Sequence, residues 1–126
     1  MRSLGESDVA QAARRLSSRL QKTPLRYDQR SSSWLKLESL QETGSFKVRG
    51  ALNAVLAQVE LGSVKPVVAA SAGNHGAGVA WAARHVGVRA LIVVPIDAPQ
   101  AKCDRIAQLG AQVLRYGRCF DESLSY

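Results

Sequence analysis

Apolar residues recur every three to four positions near the start of the chain, at Val9, Ala12, Leu16 and Leu20. That spacing lines one face of a helix. Ser7 is the candidate N-cap, so a helix is predicted from Asp8 to about Leu20, closed by Lys22 and Pro24. An extended turn at Thr23-Pro24-Leu25 and a polar loop from Gln29 to Ser33 follow. Trp34-Leu35-Lys36-Leu37-Glu38 then alternates apolar and polar residues, the period of a half-buried strand. Gly44-Ser45 opens a long helix whose apolar face would use Phe46, Ala51, Ala54, Val55 and Val59, and Gly62 stands where a C-cap is expected.

From Val67 onward short apolar runs alternate with helical patterns: a strand from Val67 to Ala70, a helix near Asn74 to Val86, a strand from Ala90 to Val94, a helix near Ala101 to Leu109, and a strand from Gln112 to Tyr116. Phe120 to Tyr126 begins a further helix, and the chain reads as an N-terminal portion that stops before a following strand. A βαβαβ order with short connections implies a parallel sheet covered by helices on both faces, and hence an α/β fold.

Composition is that of an ordinary globular chain, with 126 residues, 46% of them hydrophobic and 21% charged. No stretch supplies the roughly 18 apolar residues of a membrane helix, and Glu6 and Asp8 occupy the region where a signal peptide would be apolar. No membrane partner and a cytoplasmic location are therefore expected. Cys103 and Cys119 show no paired spacing and are expected to be free thiols. The net charge of +7 comes largely from scattered arginines, without the basic runs and interleaved aromatics of a nucleic-acid site, so no nucleic-acid partner is expected. Two histidines and no clustered Cys or carboxylates argue against a metal site.

Two segments carry candidate chemistry. Ser71-Ala72-Gly73-Asn74-His75-Gly76 lies between a strand and a helix, where small residues let backbone N–H groups close around a carboxylate or phosphate at the positive helix end. A tight turn with glycines for packing would read the same way, and the spacing is not that of a dinucleotide fingerprint. Lys47 stands at the start of the second predicted helix, followed by Val48, Gly50 and Ala51, a poor setting for a purely solvated lysine and a suitable one for a nucleophilic amine. His85, Glu38 and Arg49 receive no catalytic role, since helix-surface solvation or an ion pair explains them equally well.

Taken together, Lys36-Leu37-Glu38-x-x-Gln41-x-Thr43-Gly44-Ser45-Phe46-Lys47-x-Arg49-Gly50-Ala51 resembles the lysine-bearing motif of fold-type II pyridoxal-phosphate enzymes, and Ala70-Ser71-Ala72-Gly73-Asn74-His75 resembles their substrate loop. The turn Thr23-Pro24-Leu25, the strand end Val94-Pro95 and the spacings Pro99-x-x-Lys102 and Gly110-Ala111-x-Val113 extend the likeness to the threonine and serine dehydratase group over nearly the whole chain. The resemblance implies a tryptophan synthase beta-like fold, incomplete here, with residues 1–52 forming part of a larger domain and residues 53–126 a smaller, truncated parallel domain. It also implies pyridoxal 5'-phosphate as cofactor, held by Lys47 as the attached amine, Asn74 at the phenolic oxygen and Phe46 beside the ring. Ser71, Gly73 and His75 would hold the carboxylate of a small amino-acid substrate. Lys47 would further act as the base at Cα, so that L-threonine or L-serine yields a 2-oxo acid and ammonia.

Serine racemases resemble this chain but carry a second serine where Ala72 stands, so elimination is expected over racemisation. The family's glycine-rich phosphate loop matches nothing before Tyr126, and weak cofactor binding by these residues alone is expected. Two other classes stay open: a non-catalytic remnant acting as a binding or interaction module and prone to homo-oligomerise, and an unrelated nucleotide-binding βαβ domain. The absence of G-x-G-x-x-G and of a Walker lysine weighs against the last.

Overall fold

A computed structural model describes residues 4–62 and 65–126. Helix α1 (Glu6–Leu16) begins earlier than the Ser7 cap implies, because Gly5 is the N-cap and its N–H donates to Asp8 Oδ2 at 2.9 Å. The Asp8 carboxylate, at the third helical position, thus reaches back to the N-cap N–H as the acidic member of a capping box does. The helix also ends before Leu20, where the Ser17 hydroxyl donates back to the Arg14 carbonyl at 3.0 Å and competes with the helical ladder. Leu20 is buried all the same, carried inward by the turn in which Arg19 and Leu20 N–H groups both donate to the Leu16 carbonyl.

Strand β1 (Leu25–Asp28) pairs antiparallel with β2 (Ser33–Lys36), in register from Leu25 opposite Lys36 to Asp28 opposite Ser33. The first of these is predicted only as an extended turn, since four residues are too few to establish a period. The predicted strand from Trp34 to Glu38 stops at Lys36: the Leu37 N–H donates to the Pro24 carbonyl, and Glu38–Leu40 form one 3₁₀ turn. The hairpin turn is tied by Asp28 Oδ2, which accepts from Ser31 N–H at 3.1 Å and Ser31 Oγ at 2.6 Å.

Helix α2 (Lys47–Glu60) starts after the Gly44-Ser45 turn and buries Val48, Ala51, Leu52, Val55 and Leu56. Phe46 and Ala54, expected inside, are exposed. The five buried positions form one face of the helix, and α2 packs most extensively on α3 (Asn74–Val86).

The remaining elements follow the expected alternation: β3 (Val67–Ala70), α3, β4 (Ala90–Val94), α4 (Gln100–Gln108), β5 (Gln112–Arg115) and a short α5 (Phe120–Leu124). β3, β4 and β5 form a parallel sheet in that order, with Val67 opposite Ala90 and Leu91 opposite Gln112. Each strand joins the next through a helix, as parallel neighbours require. α3 is packed against α2, α4, β3 and β4, and its buried residues are small: Gly76, Ala77, Gly78, Val79, Ala80, Ala82 and Ala83. Small side chains let the neighbouring backbones come close. On the central strand Ile92, Val93 and Val94 are fully buried, so both faces of β4 are covered. On β3, by contrast, Val68 is 59% exposed, and the sheet face it shares with Leu91 and Gln112 is open at that end. No helix among the described residues is long and apolar enough to cross a membrane.

Candidate functional site

The approach to α2 is a tight turn built from buried polar residues. Gln41, only 4% exposed, donates from Nε2 to the Gln21 carbonyl and accepts at Oε1 from Glu42 N–H. Gly44 N–H returns to the Gln41 carbonyl at 2.7 Å, and Gly44 takes φ +66°, a left-handed conformation that favours glycine. Phe46 is the N-cap and offers no capping side chain, so Lys47 is the first helical residue. The Lys47 side chain is exposed, with Nζ 5.1 Å from the centre of the Phe46 ring. Phe46 is itself 59% exposed. Two hydroxyls in this turn, Thr43 Oγ1 and Ser45 Oγ, are buried without a hydrogen-bond partner.

Behind Lys47 an ion pair fastens the first turn of α2 to the hairpin. Arg49 donates from Nε and Nη2 to the two oxygens of Glu38, at 2.7 Å each, and the Thr23 hydroxyl donates to the same carboxylate. Lys36 Nζ completes the group by donating to the Thr23 carbonyl at 2.6 Å. The Arg49 guanidinium holds the Glu38 carboxyl well below its ordinary range, at about 2, with the Thr23 hydroxyl adding to the effect. Glu38 and Arg49 thus form the ion pair that the sequence left as one of two readings.

The second segment leaves β3 at its carboxyl end. Ser71 N–H continues the sheet ladder to the Val93 carbonyl, while Ser71 Oγ accepts from Gly73 N–H at 3.1 Å. Gly73 is the N-cap of α3, so the N–H groups of the first helical turn, from Asn74 onward, have no partner within the helix. A Cβ at Gly76 would lie 2.2 Å from the Ser71 carbonyl oxygen, which leaves room for glycine alone. Two residues on, a Cβ at Gly78 would stand 3.2 Å from the Lys47 carbonyl and from Val48 N. The glycines of this segment therefore fold the loop back on itself and bring α3 onto the backbone of Lys47.

Lys47, Phe46 and His75 line one cleft of about 480 Å³, together with Gly50, Ala54 and Val68. Gly73 and Asn74 face a second cleft of about 230 Å³ on the α4 side, which they share with Ala72, Lys102 and Arg105. The six predicted site residues thus gather around one helix N-terminus but divide between two openings, with Ser71 turned into the loop to hold Gly73. Gln41, Thr43 and Ser45 stood in the motif read from the sequence but received no role there, and Arg105 was not singled out. The polar run around Thr43 was visible, whereas Arg105 lies 62 residues from the turn it contacts and gives no local signal. Among the described residues no group of three or more His, Cys, Asp or Glu is placed to hold a metal.

The chain is similar in sequence and fold to known proteins. An L-threonine ammonia-lyase of Thermotoga maritima is 44% identical over 122 residues, covering 92% of this chain and 30% of that protein. Among solved structures, the processed form of threonine deaminase isoform 2 from Solanum lycopersicum superposes with TM-score 0.80 at 31% identity, over 96% of this chain and 36% of that one. A pyridoxal 5'-phosphate-dependent aspartate racemase superposes with TM-score 0.87 at 34% identity, over 99% and 41% respectively. The chain spans about a third of the length of the curated relatives it matches. The family model described as "Pyridoxal-phosphate dependent enzyme" matches residues 16–126, and the chain belongs to that family.

Proposed function

We propose that this chain supplies the lysine and the substrate loop of a dehydratase that converts L-threonine or L-serine to a 2-oxo acid and ammonia. The observation that carries the reading is the cleft shared by Lys47 and His75, held together where Gly78 meets the Lys47 backbone. Its volume, about 480 Å³, lies in the range of small-molecule sites, and its walls at Ala51, Ala54, Val55 and Val68 are apolar. These residues fit pyridoxal phosphate: a primary amine at the rim, an aromatic face at Phe46 and unpaired N–H groups at the start of α3.

When bound, the cofactor supplies an electron sink for the charge that develops at the substrate α-carbon. Lys47 would hold the cofactor through its ε-amine, and the same amine would serve as the base for the substrate Cα proton. Phe46 would pack beside the ring, and Asn74, which lines the cleft on the α4 side, would reach the phenolic oxygen from there. The loop from Ser71 to His75 receives the substrate carboxylate at the positive end of α3, where Ser71 and Gly73 shape the turn and His75 walls the cleft. Elimination would release the β-hydroxyl together with the proton taken from Cα, as water. Ala72 carries only a methyl group, so the loop offers no second proton donor at that position.

A racemase reading is favoured by the likeness to an aspartate racemase at TM-score 0.87 and to serine racemases. Ala72 weighs against it, and D-serine formed rapidly from L-serine would reverse the preference. Small amino acids are the partners this reading assigns, and a cytoplasmic setting accords with it. The test adds pyridoxal phosphate to the purified parent chain and to Lys47→Ala, and follows the absorbance near the visible edge. The parent should gain a band that L-threonine alters, and the variant should lack it. An identical band in both chains removes Lys47 from the site.

A further inference from the structure

Arg105 projects from α4 toward the turn that precedes Lys47. Its Nη2 donates to the Thr43 carbonyl at 2.6 Å, a contact between residues 62 apart in the chain. The same guanidinium covers the open side of Gly44, where a Cβ would lie 3.6 Å from Nη2. Gln41 and the Gly44 N–H anchor the start of the turn, but the side chains that follow add no hydrogen bond to it. Thr43 Oγ1 and Ser45 Oγ make no hydrogen bond, Phe46 offers no capping side chain, and Gly44 sits in the left-handed region. Arg105 also lines the cleft that contains Gly73 and Asn74. One side chain therefore touches the turn before the lysine and borders the loop that begins α3.

We propose that Arg105 is a positioning residue that fixes the Thr43-Gly44-Ser45 turn against α4, and so sets where Lys47 stands relative to the loop at Ser71–His75. This rests on the reading of Lys47 as the cofactor-bearing amine. Physically, a guanidinium on a carbonyl is a charge-assisted bond with a fixed direction, and such a bond restrains a turn that neutral hydroxyls leave undetermined. Lysine offers the same charge as a point donor on a flexible stem, so Arg105→Lys should keep part of the restraint and Arg105→Met none. Gly78 fixes how close α3 comes to the Lys47 backbone, and Arg105 holds the turn that enters the helix at Thr43.

The experiment compares the parent chain with Arg105→Met and Arg105→Lys in two measurements. The first is amide hydrogen exchange of the segment 40–49 without added ligand, with β4 as internal reference. Arg105→Met should exchange about tenfold faster in that segment with β4 unchanged, and Arg105→Lys should fall between. The second is the rate at which pyridoxal phosphate, trapped with borohydride, labels Lys47. That rate should drop by about tenfold in Arg105→Met and recover in part in Arg105→Lys. Exchange in 40–49 indistinguishable from the parent overturns the proposal, as does labelling that is equal or faster. Faster exchange in β4 as well would make Arg105 a general stabiliser and also overturn it. Label missing from Lys47 in all three chains, with the segment loosened as expected, would defeat the cofactor-lysine reading and leave the restraint itself standing.

Discussion

Glu38 accepts hydrogen bonds from both Arg49 nitrogens and from Thr23, and its pKa of about 2 lies below the ordinary value of 4.5. A carboxyl group that binds its proton more weakly in the folded state stabilises the fold fully above its unfolded pKa. That contribution fades as the pH falls from about 4.5 toward about 2, because the unfolded chain then gains the proton first. Its size is on the order of 3 kcal/mol before the partial exposure of Arg49 is discounted. Glu38→Gln should therefore lower the urea midpoint at neutral pH and make little difference near pH 2; an equal loss at both would remove the ion pair from the stability of the chain. The glycines offer a second residue-level test. Gly76→Ala places a methyl 2.2 Å from a carbonyl oxygen, Gly78→Ala one at 3.2 Å from the Lys47 backbone, so the first should lower the melting temperature more than the second. Lys47 and the Ser71–His75 loop were singled out from the sequence through their resemblance to a family's motifs, and the structure places Lys47 and His75 on one cleft. Arg105 was not, since nothing within its own helix marks it as the partner of Thr43.

At the scale of elements, legibility followed length. α3 and the strands β3 and β4 were read at the bounds the structure gives, because apolar runs of four or five residues alternate with a long helix of small residues. β1 escaped notice, being four residues whose partner is only fixed once the chain has turned at Ser31 and Ser32. On α2 the expected Ala51 and Val55 are buried, while Phe46 and Ala54 are exposed and Val48, Leu52 and Leu56 complete the face, since a helix rich in Ala and Val offers several similar stripes and tertiary packing selects among them. That selection predicts an asymmetry. Leu52→Ala should cost roughly 2–5 kcal/mol in chemical denaturation, whereas a polar residue at exposed Ala54 should change stability by less than about 0.5 kcal/mol. Similar costs at the two positions would mean that α2 presents a different face to α3.

For the molecule as a whole, the topology explains why two segments far apart in sequence share one cleft. A parallel sheet carries its loops at the carboxyl ends of the strands, and the loop after β3 opens a helix that packs directly on α2. The helix bearing Lys47 and the loop bearing His75 are neighbours for that reason. The α/β class and strand order were legible from the βαβαβ alternation, while the open face at Val68 was not, because alternation says which residues share a face and not what covers it. The cofactor role of Lys47 is tested most directly by mapping the site of attachment. Pyridoxal phosphate is added to the parent chain, reduced with borohydride, and located by peptide mass spectrometry among Lys22, Lys36, Lys47, Lys65 and Lys102. Label concentrated on Lys47 is the expected result; label on another lysine, or spread evenly over all of them, would contradict it.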